Sequence, residues 1–226
     1  VNFCFAQTSK KDTLVEGKTY HFDISMDIKS KNYQFNKTAT FTKFINSKDD
    51  SYFGYIFSPN NIAVFDLKDN STLIFKKKEN EKDVNFEYES GTKLSNNNFK
   101  DYKIKVKKLS EKQFEIRKIR KKDDYIWLKI ILNIEQSDFE AANSLDLNDV
   151  MNMDYSAIQM LRKKVKLNSF IISDYRATYF QTAVNTSSIL KAEKVDYILF
   201  TPKEFRLKFP QIIKGKELLD LKNKQK

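Results

Sequence analysis

Apolar positions fall two apart along most of this chain. Tyr20, Phe22, Ile24, Met26 and Ile28 alternate with His21, Asp23, Ser25 and Asp27, the period of a half-buried strand. Tyr33 to Ile45 predicts a second, less regular strand anchored by Phe35 and Phe41. Tyr52 to Phe57 then runs into the turn residues Ser58-Pro59-Asn60-Asn61. Ile62 to Leu67, the turn Lys68 to Ser71, Thr72 to Phe75 and Val84 to Tyr88 follow. Short β-prone runs separated by Asn, Asp and Pro predict an antiparallel meander. A second meander starts where Tyr102, Ile104 and Val106 alternate with Lys103, Lys105 and Lys107, reverses at Ser110 to Lys112, and continues through Phe114 and Ile116. Arg117-Lys118 breaks the alternation there, which predicts a bulge or the end of the strand. Ile126, Leu128, Ile130, Leu132 and Ile134 make one unbroken apolar face.

The period then changes. Ser137 to Glu140 has capping-box spacing, and Leu147, Val150, Met151, Ile158, Leu161 and Val165 share a helical face. One principal helix is expected over about 147–166, within a helical insertion at 137–167. Strands are expected again at Phe170 to Phe180, Val195 to Thr201 and Phe205 to Phe209. The fold class is therefore α+β and mostly antiparallel β: a curved sheet or open barrel built from meanders, with the helix packed on it. Residues 16–210 read as a single β-rich domain, with a polar lead-in at 7–15 and a Lys-rich tail at 211–226.

The first residues bear on the compartment. Val1 to Ala6 is an apolar run ending in the small-x-small pattern Cys4-Phe5-Ala6, and polar residues follow it. That pattern reads as a signal-peptide remnant at 1–6, cleaved after Ala6, in a protein exported to the periplasm or outside the cell. Cleavage there removes the sole cysteine, so no disulfide framework is expected.

Composition narrows the chemistry. The 226 residues are 40% hydrophobic and 31% charged, and the formal net charge is +11. The excess is almost all lysine spread along the chain, which reads mainly as a solvated surface. One histidine and no mature cysteine leave the common zinc ligand sets unavailable, and no metal or other cofactor is expected. No nucleophile elbow, phosphate loop or dinucleotide fingerprint occurs. Asp66, Asp69 and Asn70 suit turn chemistry better than a calcium loop. Carboxylates at Asp23, Asp27, Asp66, Glu87, Asp174 and Asp196 fall in or near strands, and a carboxylate hydrolase is the weakest of the readings. Asp174 and Arg176 draw particular attention, because parity puts them on one strand face with Phe170, Ile172 and Phe180.

Two binding surfaces are candidates, and no catalytic residue is assigned. Tyr52 to Phe57 is apolar on both phases, so Tyr52, Phe53, Tyr55 and Phe57, with Phe65, are candidates for holding an apolar small molecule or lipid. Lys103, Lys105, Lys107, Arg117, Lys118 and Arg120 form a candidate polyanion surface. For an exported protein that means an anionic membrane or glycan, while nucleic acid is disfavoured. The expected function is a non-enzymatic binding or carrier module, possible ligands being hydrophobic and lodged between sheet and helix. The alternative is a cell-envelope structural or interaction protein. In outline this architecture resembles the curved sheet-plus-helix bodies of periplasmic lipoprotein carriers of the LolA type, a likeness of architecture and export alone.

Overall fold

A computed structural model describes residues 12–78, 86–93, 101–139 and 156–208. The proposed cleavage site, most of the lead-in, the expected helix before 156 and the Lys-rich tail lie outside them. Among the described residues thirteen strands form one open sheet, and all but one pairing is antiparallel.

The first meander comprises β2 (Thr19–Asn32), β3 (Lys37–Ile45), β4 (Tyr52–Ser58), β5 (Asn61–Asp66), β6 (Ser71–Lys77) and β7 (Phe86–Lys93). The second comprises β8 (Tyr102–Lys108), β9 (Gln113–Arg120), β10 (Ile126–Gln136) and β11 (Phe170–Tyr179). The long strand β12 (Ala183–Phe200) joins them by pairing with β11 on one side and β2 on the other. The short strands β1 (Thr13–Glu16) and β13 (Glu204–Lys208) pair with each other, and β13 runs parallel to β7.

The described residues contain one α-helix, α1 (Ser156–Arg162), which turns Ala157, Ile158 and Leu161 into the core. Only the last part of the expected helical face falls within it. An ion pair fixes its end to the loop between β3 and β4: Arg162 Nη1 lies 2.5 Å from the buried Asp50 carboxylate.

Apolar side chains gather in two clusters. One holds Ile24, Met26, Phe53, Tyr55 and the inward face of β9 to β11, with α1 against it. The other holds Tyr20, Phe22, Tyr52, Ile62, Val64, Leu73 and Phe75, closed by Phe205 and Leu207 of β13. Strands β4 and β5 supply side chains to both clusters. Gly54 makes this close layering feasible, since a Cβ there would already touch the Phe22 ring at 3.4 Å.

Several sequence expectations change. Tyr33 to Asn36 is a turn rather than the start of β3. The lead-in contains β1, and β12 begins twelve residues before Val195. The irregularity expected at Arg117-Lys118 falls in the same ladder, between β9 and β10, but the extra residue is Trp127 of β10, and β9 continues to Arg120.

Candidate functional site

A groove of about 290 Å³ crosses strands β10, β11 and β12, and its placement follows from one irregularity in the ladder. Phe170 and Ile172 face the core. The register between β10 and β11 then shifts: Asn133 faces Asp174, while Ile134 faces Ile172. That bulge reverses the parity of β11. Tyr175 and Ala177 become the core residues, and Asp174 and Arg176 turn to the outer face. The parity reading that grouped Asp174 and Arg176 with Phe170 and Ile172 is corrected by this shift.

Pairing sets the groove in two transverse rows. Asn133, Asp174 and Ser188 stand opposite one another in the first, and Ile131, Arg176 and Thr186 in the second. Tyr175 and the 2%-exposed Ser187 also line it, and the Ser187 Oγ has no hydrogen-bond partner among the described residues. The Asp174 carboxylate is held in place: the Asn133 side-chain amide donates to it at 2.8 Å and the Ser173 hydroxyl at 3.2 Å. Gln113 in turn donates to the Asn133 oxygen at 3.1 Å. Arg176 is exposed and makes no ion pair or hydrogen bond with any described residue. Asp174 and Arg176 thus do not form a salt bridge, and β11 is an interior strand rather than an edge. Lys29 and Lys31 of β2 extend the two rows past Ser188 and Thr186. The result is an oriented carboxylate and amide beside hydroxyls and an uncommitted guanidinium.

The residues put forward from sequence are distributed differently. Phe53 and Tyr55 pack in the first cluster, with Phe65 partly buried against it, and Tyr52 packs in the second. Phe53 and Phe65 stack with ring centres 5.1 Å apart. Lys43, fully buried, sits over the Phe53 ring at 4.4 Å and the Tyr55 ring at 5.4 Å. The chain itself therefore covers these aromatic rings from both sides of β4. The side chain of Phe57 lies outside what the structure describes.

The basic hairpin is also divided. Lys105 stands opposite Arg117, and Lys107 opposite Glu115, on one face. Lys118 stands on the other face, 2% exposed, between the Tyr102 and Trp127 rings at 5.0 and 4.9 Å. Neighbouring acids take up much of the remaining charge. Arg120 grips Asp123 with two hydrogen bonds, of 2.9 and 2.6 Å, and Lys103 pairs with Asp124. The Arg117 Nε lies 2.7 Å from Glu115 without the alignment of a hydrogen bond.

Each strand carboxylate named above has its own partner. Asp23 accepts from Ser47, Asp27 from Thr42, Glu87 pairs with Lys78, and Asp196 contacts His21 at 2.8 Å. Asp66 is the most enclosed of them and accepts from Tyr20 and Lys18, both at 2.9 Å. Lys18 also contacts Asp69 at 2.5 Å, so an ammonium group stands between the two carboxylates of the turn. Burial works against that charge, but the hydrogen bonds to Asp69 and Asp66 outweigh it and raise the Lys18 pKa. Among the described residues no cluster of three or more His, Cys, Asp or Glu side chains is arranged to hold a metal ion. No described helix is long and apolar enough to cross a membrane.

The chain matches no family model and no curated protein.

Proposed function

We infer that this protein is a non-enzymatic binding module of an exported compartment, and that it recognises an anionic sugar unit through the β10–β12 groove. The observation that carries the reading is Arg176, a guanidinium without a described partner in a groove that also presents hydrogen-bonding side chains. Arginine's planar fork matches a carboxylate or phosphate bidentately. The held Asp174 carboxylate and Asn133 amide suit sugar hydroxyls, and Thr186 and Ser188 add hydroxyls of either hydrogen-bonding sense. Half-buried Ile131 offers the apolar contact a sugar ring needs. Export is supported by the Cys4-Phe5-Ala6 pattern.

An apolar ligand on β4 is the less favoured reading, because Phe53, Tyr55 and Tyr52 are already packed against the chain's own side chains. A hydrolase is less favoured still, because the strand carboxylates are committed to separate partners.

Calorimetric titration tests the groove. Glucuronate or galacturonate should bind and neutral glucose should bind more weakly. Arg176→Ala should lower affinity for the acidic sugars by about tenfold to a hundredfold, the range for losing a charged hydrogen-bonding partner. Equal affinities for acidic and neutral sugars, or an unaffected Arg176→Ala protein, would remove the reading.

A further inference from the structure

At one end of the sheet, three hairpin connections present aromatic side chains in a row. The turn between β2 and β3 carries Tyr33 and Phe35, 52% and 66% exposed, and that between β11 and β12 carries Phe180, 52% exposed. Half-buried Trp127 and Tyr125 stand at the start of β10. Backbone hydrogen bonds lace the turns together sideways: Tyr33 N donates to Val184 O at 2.9 Å, Phe180 N to Trp127 O at 3.0 Å, and Arg120 N to Tyr125 O at 2.9 Å. The rings continue that lacing, with Phe180 edge-on to Trp127 at 5.4 Å. From β3 across to β8 this rim spans seven adjacent strands, about 30 Å at the usual strand spacing.

The Phe180 backbone adds a separate observation. Phe180 and Gln181 have φ values of 47° and 65°, and Thr182 N donates to Tyr179 O at 2.9 Å. Within a three-residue connection between paired Tyr179 and Ala183, this is a β-turn of the kind normally filled by Asn-Gly or Asp-Gly, because both central residues are left-handed. A phenylalanine there is strained, and its ring stays half exposed with only the edge contact to Trp127, so neither turn geometry nor core packing accounts for it.

Charge surrounds the rings. Lys31 stands over the Tyr33 ring at 4.6 Å, and Lys37, Lys121 and Lys122 are exposed at the same end. The nearby acids Asp123 and Asp124 are matched by Arg120 and Lys103. Exposed aromatic turns set among lysines complement the interface of a bilayer carrying negative headgroups: rings enter the headgroup boundary while ammonium groups meet phosphates.

We propose that this rim seats the protein on an anionic lipid bilayer, with Phe35 and Phe180 inserting and Lys31, Lys37 and Lys122 contacting headgroups. The inference rests on the rim, which shares with the groove only Lys31 at the end of its second row.

Co-sedimentation with phosphatidylcholine vesicles, with and without phosphatidylglycerol, tests it. The intact protein should bind only the anionic vesicles and release them as salt rises. Trp127, the sole tryptophan, should shift its emission to the blue on binding. Phe35→Ser and Phe180→Gly should each weaken binding by about tenfold, as the loss of one inserted aromatic ring implies. Phe180→Gly relieves the left-handed strain and keeps the fold, so its loss of binding cannot be attributed to unfolding. Arg176→Ala should bind vesicles like the parent, which separates failure of this proposal from failure of the groove. Failure to bind anionic vesicles, undiminished binding by both aromatic variants, or a rim covered instead by a second copy of the chain would overturn the proposal.

Discussion

Tyr20 shows how a single side chain ties the fold to pH. Burial is the main force raising its phenol pKa far above the ordinary value, and the Asp66 charge and hydrogen bond push the same way. Burial also raises Tyr52, Tyr88 and Tyr197. Each favours the protonated phenol in the native state, so its stabilising contribution is complete below about pH 10, the unfolded value. It is lost as pH climbs toward the folded values. The expected outcome is loss of stability in alkali, with Tyr20 and Tyr197 ionising only when the chain unfolds. Tyrosinate absorbance measured with circular dichroism checks this, and full tyrosine ionisation before loss of ellipticity would count against it. Residue positions were partly legible from sequence. Continuing the parity of Phe114 and Ile116 sends Lys118 inward, where the structure places it, but grouping it with neighbouring cations hides that signal. Arg176 could be noticed as chemistry, whereas its face could not, because a bulge leaves no mark in an alternation count.

At the scale of elements, strands with a clear period of two emerge close to their expected bounds. Strand β10 is the plainest case: Leu128, Ile130, Leu132 and Ile134 are all at most 1% exposed. Strand β12 shows the reverse. Its first two thirds, Ala183 to Lys194, are rich in small and polar residues with no period. It becomes a strand through pairing with β2 more than 150 positions away in the chain, where tertiary context outweighs local preference. Helix α1 is too short to persist alone and depends on its three buried side chains and on Arg162. Removing that guanidinium leaves Asp50 enclosed with fewer partners, and Gln159 Nε2 remains 3.4 Å away. Arg162→Ala should therefore destabilise the protein by about 1–3 kcal/mol, a cost kept below that of a fully buried ion pair because Arg162 is partly exposed. Urea unfolding measures this, and an unchanged midpoint would show that α1 is held by packing alone.

The whole molecule is organised by contacts between distant parts of the chain. Strand β1 pairs with β13 near the opposite end of the sequence, and β12 inserts the second meander beside the first. No alternation pattern announces such partners, so a curved sheet with a helix was legible while its strand order was not. Gly17 marks the closure of β1 on the segment before β13. Its N–H donates to Lys203 O at 2.7 Å, and an added Cβ would lie only 2.9 Å from the Lys203 backbone. Because backbone cannot swing aside as a side chain can, Gly17→Ala should cost about 1–3 kcal/mol. Accelerated hydrogen exchange should appear in β1 and β13 first, and uniform exchange across the sheet would contradict that local tie.

The groove lies where the two meanders meet, on strands fixed by pairing on both sides, a placement suited to a preorganised binding site. Amide chemical-shift mapping during a glucuronate titration tests its role most directly. Saturable shifts should concentrate on Ile131, Asn133, Asp174, Arg176, Thr186 and Ser188, and should need about tenfold to a hundredfold more ligand in Arg176→Ala. Shifts centred instead on Tyr52 to Phe65, or no saturable change anywhere, would show that the groove is not the binding site.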